Sequence, residues 1–461
     1  MKIESVGMYV HTHWSYNHPY AARTWTIQDW RGYLAGLKGL GYNFVQVWPM
    51  LDIMPIPLTQ SDRLHLERLS KVIDVAHDEF GMKVIMGSLA NMIGNEEAPQ
   101  YKFEDRPYFT TERRLNPGDA AEVEKLFAQR RETIAPLSKA DGFWVIDSDP
   151  GGYEGSPSEE FVMLLGRYRE VLDELRPGIE LIYWVWFGWS HQEGQAESWR
   201  RALSGLKRMN PEPWAIHVCL PEQTPIVEEL DLTNRGYVFR YNSIENEPSL
   251  PWTRYDPEGL YELVTHIKAP KGWLGNAQTH PVQLPHIYCF SHFAQGGTPE
   301  TIDLEGFAER LLPGLGPVIA SGWRAMDEES SAEEIEAALA GLSDATAGEP
   351  GELKGLLFGS GERSLEALRA QLSVRRYERI IQSARSPHEL RAGLLGIREP
   401  LALWCRRHGF KDFGRLALFT HIRESAQKIG ALKVVKEFDD AEKAEHCHDF
   451  MDRLFSLLKE L

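Results

Sequence analysis

The sequence predicts an α/β protein: an eight-stranded (β/α)8 TIM barrel followed by an α-helical C-terminal domain. Three observations support this prediction. Short apolar runs alternate with helix-period segments through residues 1–300. Many of these runs are apolar throughout, as in parallel strands that are buried on both faces. Residues 301–461 lack a convincing strand pattern, and helical faces recur there.

The first predicted strand is followed by a helix with signals at both ends. Thr26 and Asp29 have the spacing of a capping box, and Gly41 provides the stop. The second helix is expected to start at Asp62 and to end at Gly81. The eight predicted strands are Val6–Val10, Phe44–Trp48, Val84–Leu89, Phe143–Ile146, Glu180–Trp186, Trp214–Cys219, Tyr237–Tyr241 and Gly272–Ala277.

Helix-period segments separate the later strands and continue beyond them. Between strands they cover residues 119–137, 159–175, 196–209 and 257–268. No strand is followed by the glycine-rich phosphate loop of an open doubly wound sheet, which favours the barrel. The predicted C-terminal helices are Leu304–Leu312, Ala332–Leu342, Leu365–Ile381, Leu390–Trp404, Leu416–Ile429 and Phe450–Leu458, with a loop over 344–361.

Composition argues against several classes of protein. The chain has 461 residues and a net charge of −17, so non-specific binding to nucleic acid is not expected. No apolar run reaches the ~18 residues of a membrane span, and the N-terminus lacks a secretory pattern. The four cysteines are scattered without a CxxC pair, which argues against a zinc ribbon or a disulfide framework. We therefore expect a cytoplasmic protein without a cofactor, whose helical domain is a candidate surface for homo-oligomers.

The segment DGFWVIDSDPGGYEG at 141–155 carries the strongest functional signal. The run from Phe143 to Ile146 predicts a buried strand, and Asp147 and Asp149 follow it before a Pro-Gly-Gly turn. Side chains two apart on an extended strand point the same way, so both carboxylates are expected at the catalytic end of the barrel. Such a pair can divide acid and base or nucleophile roles. Alternatively, one of them caps the turn and the other pairs with an arginine.

Aromatic and polar side chains are expected at the same ends of the other strands. Sugar rings stack on aromatic faces, and their hydroxyl groups need polar partners. His11 and His13 either bind such hydroxyls or satisfy the polar floor of the barrel. Arg23 either holds a substrate carboxylate or pairs with Asp147 or Asp149. The candidate substrate-binding residues are His11, His13, Arg23, Trp48, Trp186, Trp189, Asn276, Gln278 and His280.

Glycoside hydrolysis requires one carboxyl group that protonates the leaving oxygen and a second that acts as nucleophile or base. Asp147 and Asp149 can form this pair by themselves. Alternatively, one of them works across the barrel from Glu245 or Glu247, which stand in a polar loop where inert carboxylates are common. The favoured interpretation is a hydrolase of a small glycoside or oligosaccharide.

The chain resembles barrel glycoside hydrolases of the hexosaminidase and α-glucuronidase type. The resemblance rests on DSDPGG after the fourth strand, YWVWFGW at the end of the fifth, GNAQTH at the eighth, and a helical domain after the barrel. Hexosaminidases have His, two Gly, Asp and Glu after the fourth strand, whereas here two Asp precede the glycines. The resemblance implies glycoside hydrolysis, with Asp147 and Asp149 closest to the catalytic pair of that family.

Two other interpretations stay open. His11-Thr12-His13 is similar to the HxH of metal-dependent amidohydrolase barrels, where two imidazoles reach one ion. His217 in the sixth strand supplies a further imidazole, but no Lys ends the fourth strand and Asn276 stands where that family has Asp. The third interpretation is a sugar-binding protein without catalytic activity.

Overall fold

The computed structural model describes residues 2–13, 21–149, 152–190, 192–245, 253–268, 270–277, 279–358, 360–408 and 417–441. Within these ranges the strands are β1 (Val6–His11), β2 (Phe44–Trp48), β3 (Lys83–Leu89), β4 (Met92–Gly94), β5 (Glu112–Arg114), β6 (Gly142–Ile146), β7 (Glu180–Val185), β8 (Trp214–Val218), β9 (Gly236–Val238) and β10 (Gly272–Asn276).

Eight of these strands close a parallel barrel, which confirms the predicted fold class. The order around the barrel is β1, β2, β3, β6, β7, β8, β9 and β10, and β10 pairs with β1. All eight predicted strands are present, although β9 is shorter than Tyr237–Tyr241. The remaining strands, β4 and β5, pair antiparallel as a hairpin within an insertion after β3. The sequence predicted neither of them.

Helices follow the barrel strands and cover the barrel from outside. They are α1 (Ile27–Leu40), α2 (Gln60–Phe80), α3 (Ala120–Ile134), α4 (Ser158–Leu175), α5 (Gln195–Met209), α6 (Thr224–Glu229), α7 (Pro257–Thr265) and α8 (Leu284–Ala294). The capping box of Thr26 and Asp29 is confirmed. The predicted start of α2 at Asp62 is wrong, because Thr59 is the cap and Asp62 closes its capping box.

After β10 the described residues contain helices and turns only. The helices are α9 (Leu304–Leu311), α10 (Gly316–Arg324), α11 (Ala332–Ser343), α12 (Gly361–Ser383), α13 (Pro387–His408), α14 (Ala417–Lys428) and α15 (Leu432–Ala441). We call residues 304–441 the helical region; the domain boundary at residue 300 stays a prediction. The sequence missed α6 and α8 of the barrel and α10 and α15 of the helical region, and the predicted helix Phe450–Leu458 lies outside the described residues.

Apolar side chains form two layers of core. Inside the barrel, the Trp144 ring on β6 contacts those of Trp48 on β2 and Trp184 on β7. Outside it, Phe143 and Tyr183 pack on Tyr168 and Phe161 of α4, as the alternation of side chains along a strand requires. In the described part of the chain, no helix is both long and apolar enough to cross a membrane.

Candidate active site

Aromatic rings fill the carboxyl end of the barrel. The ring of Trp184 on β7 lies 4.9 Å from that of Trp144 and 5.9 Å from that of Trp48. Tyr9 on β1 and Phe239 after β9 lie 5.5 Å and 4.8 Å from Trp184, measured between ring centroids. All five side chains are buried. We call these five residues the aromatic floor.

Trp186 stands just after β7, where the chain leaves the barrel. Its ring contacts Trp184 at 6.2 Å and Tyr241 at 5.1 Å. Its indole N–H is buried and makes no hydrogen bond with a described residue. Because buried donors usually have partners, a hydroxyl oxygen of a ligand above Trp186 would satisfy this group.

His11 and His13 diverge instead of forming a pair. The ring of His11 lies on Trp48 at 4.8 Å, and its Nδ1 accepts the His13 backbone N–H at 3.2 Å. Burial lowers the pKa of His11 to about 3, so the ring is neutral and carries its proton on Nε2. His13 turns towards Phe103, whose carbonyl oxygen is 3.1 Å from Nε2. The two imidazoles therefore do not converge on one point.

His217, the third imidazole of the metal interpretation, lies among aromatic rings. It is fully buried and packs on Trp184, Tyr237 and Phe239 at 5.5–6.1 Å. Burial lowers its pKa to about 3. Within the described ranges, no three His, Cys, Asp or Glu side chains are grouped closely enough to hold a metal ion.

Asp147 follows β6 and is held by three donors. Its carboxylate accepts hydrogen bonds from Ser148 Oγ at 2.8 Å, Tyr183 OH at 2.8 Å and the Trp186 backbone N–H at 3.2 Å. Since Tyr183 packs on α4, Asp147 faces the layer between the barrel and that helix. Burial raises the pKa of Asp147 to about 7 in spite of the three donors.

Asp149 has different surroundings from Asp147. It is half-buried, and its carboxyl group makes no hydrogen bond or ion pair with the part of the chain that is described. Burial raises the pKa of Asp149 to about 7. The carboxylates of Asp52 and Asp147 add to the rise, and the Arg114 guanidinium opposes it. A carboxyl group of this kind keeps its proton up to neutral pH.

Asp52 was not a candidate from the sequence, where its position after the second strand is the only signal. It is fully buried and accepts hydrogen bonds from Trp48 Nε1 and the Leu89 backbone N–H, both at 2.7 Å. Arg130 Nη2 is 3.8 Å from its Oδ1. Burial raises the pKa of Asp52 to about 6. Asp52 therefore orients the Trp48 ring and adds negative charge near Asp149.

The β4–β5 hairpin brings two further charged residues close to Asp52 and Asp149. Glu112 and Arg114 stand at the two ends of β5, opposite Gly94 and Met92. Arg114 Nη1 donates to the Gly152 carbonyl oxygen at 3.4 Å, which links the hairpin to the loop after Asp149. Burial raises the pKa of Glu112. Because strands of three residues carry no periodicity, the sequence offered no signal for either residue.

Trp189 lies in the outer layer, away from the aromatic floor. It is fully buried, its ring stacks on Phe161 of α4 at 5.2 Å, and its Nε1 donates to Ser156 Oγ at 2.6 Å. These contacts occupy the whole side chain.

Glu245 and Asn276 lie at the ends of β9 and β10. The two carboxylate oxygens of Glu245 accept from the Thr279 backbone N–H at 2.7 Å and the Thr279 Oγ1 at 2.6 Å. The Asn276 amide donates to the Tyr241 carbonyl oxygen. Both residues thus connect neighbouring loops. Glu247 and Gln278 lie outside the described residues.

His280 and Arg23 flank the mouth of the barrel. His280 Nδ1 is hydrogen-bonded to the Tyr33 hydroxyl, and its ring lies 4.8 Å from that of Tyr33 on α1. The Arg23 backbone N–H donates to the Thr12 carbonyl oxygen at 2.8 Å, and the side chain is half-buried. The Arg23 charge adds to the burial that lowers the pKa of His13.

Five of the candidates from the sequence are therefore close together in the structure: His11, Trp48, Asp147, Asp149 and Trp186. Together they offer aromatic surfaces, a neutral imidazole, a carboxylate held by donors and a second carboxyl group without such donors. These groups can bind a polyhydroxylated ring and transfer a proton to it.

No protein-family model matches the chain, and no curated protein sequence resembles it significantly. Among solved structures it is similar to a glycoside hydrolase family 20 β-N-acetylglucosaminidase, with 11% identity and a TM-score of 0.44 over 71% of this chain and 76% of that one. It is also similar to a chitobiase from Flavobacterium johnsoniae, with 10% identity and a TM-score of 0.43 over 99% and 72%. An α-galactosidase from Geobacillus stearothermophilus has 10% identity and a TM-score of 0.38 over 64% and 43%.

The motifs of the sequence predicted a barrel glycoside hydrolase of the hexosaminidase type, and hexosaminidases are among the solved structures that this chain is similar to. Likeness at this level concerns the course of the backbone alone. The chemistry of the site therefore rests on the residues of this chain.

Proposed function

We propose that the protein is a glycoside hydrolase in which Asp149 is the general acid. The proposal is carried by the environment of Asp149: a half-buried carboxyl group at the end of the fourth barrel strand, with a pKa of about 7 and no donor from the described residues. A general acid is most effective when its pKa lies near the working pH. The aromatic floor and Trp186 beside it support a sugar as substrate.

The other roles rest on the contacts of the described residues and on the positions that the sequence predicts. Asp149 would protonate the glycosidic oxygen as the bond to the anomeric carbon breaks. A water oxygen would then form the new bond to that carbon and give up a proton to a carboxylate. Asp147, fixed by Tyr183 and Trp186, is the neighbouring carboxylate. Glu245 or Glu247 remains the second carboxylate of the proposal. The sugar would be held by His11, Trp48, Trp186, Asn276 and Gln278.

The substrate would be a short glycoside rather than a polymer. This follows from the expectation of a cytoplasmic protein, which stays a prediction.

The test is hydrolysis of a panel of aryl glycosides by the wild-type protein and by Asp149→Asn. We expect the wild type to cleave at least one of them, and Asp149→Asn to lose about 10²–10⁴-fold in kcat, the usual contribution of general acid catalysis. Substrates with a good leaving group should be less affected because their oxygen needs less protonation.

The matched control is Asp78→Asn, since Asp78 is an exposed carboxylate on α2. It should retain wild-type activity. A wild type that cleaves none of the glycosides, or an Asp149→Asn variant as active as the wild type, would refute the proposal.

A further inference from the structure

The helical region contacts the loops that follow three adjacent barrel strands. These strands are β9, β10 and β1. Their ends and loops carry Arg23, Asn276 and His280, which the sequence predicts to bind substrate, and Glu245, a candidate catalytic carboxylate. Among these contacts are those of Gln371 on α12 and of Phe358 in the turn before α12.

Gln371 holds the chain after β9. Its Oε1 accepts the Thr253 backbone N–H at 2.6 Å, and Gln371 is 2% exposed. Thr253 Oγ1 in turn donates to the Val282 carbonyl oxygen at 3.0 Å, in the segment after β10. Thr253 and Gln371 also line a cavity of about 40 Å³. The hydrogen bond to Gln371 therefore helps to order the segment, together with those from the Arg254 N–H to Gln283 Oε1 at 3.2 Å and from the Asp256 N–H to His286 Nε2 at 2.8 Å.

Phe358 contacts the loop after β1 directly and the loop after β10 through Tyr33. Its ring lies 4.5 Å from Trp25, at the end of the loop after β1, and 5.5 Å from Tyr33 on α1. Tyr33 in turn holds His280 by a hydrogen bond. One aromatic ring from the helical region thus supports both loops.

The backbone of Phe358 indicates that this placement is imposed by its surroundings. Its φ is 44° and its ψ is 51°, in the left-handed region that non-glycine residues rarely adopt. Such a conformation persists only where neighbouring contacts determine it.

A direct contact of two backbones anchors this turn. A Cβ atom built on Gly355 would lie 1.8 Å from the Gly32 carbonyl oxygen on α1. Only glycine allows this approach. The turn is therefore attached to the barrel helix that carries Tyr33, and its position relative to the loops is set.

We propose that the helical region is part of the substrate-binding apparatus, with Gln371 and Phe358 as positioning residues that hold the loops after β9, β10 and β1. This inference rests on the proposed function for the nature of the ligand. The contacts with the loops do not depend on it.

The experiment is hydrogen exchange of the full-length protein without ligand, followed by kinetics on a glycoside that the wild type cleaves. Gln371→Met removes the acceptor of the Thr253 N–H, and we expect that amide to exchange about 10-fold faster. Phe358→Ala should accelerate exchange in segments 21–26 and 279–283.

Both variants should raise KM about 10-fold and change kcat less. Phe358→Tyr keeps the ring and should behave like the wild type.

The matched control is Ile381→Ala, because Ile381 is fully buried on α12 and packs on Gly393 of α13. It should lower stability without changing exchange in the loops. The inference is overturned if loop exchange in Gln371→Met and Phe358→Ala equals that of the wild type, or if Ile381→Ala has the same effect. Faster exchange with an unchanged KM would overturn the role in substrate binding. If the wild-type protein cleaves no glycoside, the proposed function is refuted. The exchange rates would still decide whether Gln371 and Phe358 hold the loops.

Discussion

Two carboxyl groups of the same loop differ in what surrounds them. Burial raises the pKa of Asp147 and of Asp149 to about 7. Three donors bind the carboxylate of Asp147, whereas no described residue donates to Asp149. Since the charge of Asp147 also raises the pKa of Asp149, we expect the two groups to titrate as a pair.

The raised pKa of Asp149 makes stability depend on pH. Its ordinary pKa is 3.8, so the folded protein keeps a proton that the unfolded chain loses as the pH rises from about 4 to 7. Ionisation therefore destabilises the fold over this range. The difference in free energy of unfolding, Asp149→Asn minus wild type, should therefore rise by about 1–3 kcal/mol from pH 4 to pH 8. Denaturant unfolding at both pH values measures the difference.

Asp78→Asn is again the control, because substitutions at exposed positions change stability within about 0.5 kcal/mol. An Asp149→Asn variant whose stability relative to wild type is the same at pH 4 and pH 8 would contradict a raised pKa.

The sequence predicts which residues lie at strand ends but not how each is oriented. Asp147, Asp149 and Trp48 are found there because parallel strands of a barrel end on one side. The different surroundings of Asp147 and Asp149 arise from Tyr183 and Arg114, which are distant in the sequence. Glu112 was missed because the insertion that carries it comes close to Asp52 only in the folded chain.

Among elements, the insertion that carries β4 and β5 is anchored in part by a buried ion pair. Arg106 Nη1 is 2.6 Å from Asp62 Oδ1 at the start of α2, and neither side chain is exposed. The guanidinium also donates to the carbonyl oxygens of Ile53 at 2.9 Å and Ala98 at 3.0 Å. One side chain thus joins the insertion to α2 and to the turn after β2.

We expect Arg106→Met to lower the free energy of unfolding by about 3–5 kcal/mol, because Asp62 would keep a buried charge without its partner. Chemical denaturation measures this loss. In the control Arg63→Met, the lost ion pair with Glu132 is exposed, and we expect a loss of at most about 1 kcal/mol. Equal losses in the two variants would argue against the structural role of Arg106.

The sequence predicted best the strands and helices that have a clear periodic pattern of apolar residues. The barrel strands are apolar runs of about five residues, and α1 and α2 have caps and a clear apolar face. Helix α10 was missed because Gly316 and Pro317 at its start are also typical of turns.

On the scale of the whole molecule, the contact of Gly32 with Gly355 joins the barrel to the helical region. We expect Gly355→Ala to lower the free energy of unfolding by more than about 2 kcal/mol, since the added methyl group would collide with backbone that cannot move aside. Thermal unfolding measures the loss.

Gly341→Ala is the matched control. Gly341 lies within α11, and the nearest atom to an added Cβ is 4.0 Å away. The higher helix propensity of alanine should then stabilise the protein by about 0.5–1 kcal/mol. A Gly355→Ala variant as stable as Gly341→Ala would show that the two parts are not in close contact.

The aromatic floor also provides an optical signal. Trp48, Trp144 and Trp184 have ring centroids within 5.9 Å of one another, close enough for their excited states to couple. Their near-ultraviolet circular dichroism and emission therefore report on the middle of the barrel. A molecule that enters above them becomes detectable without a label, by the protein's own spectrum.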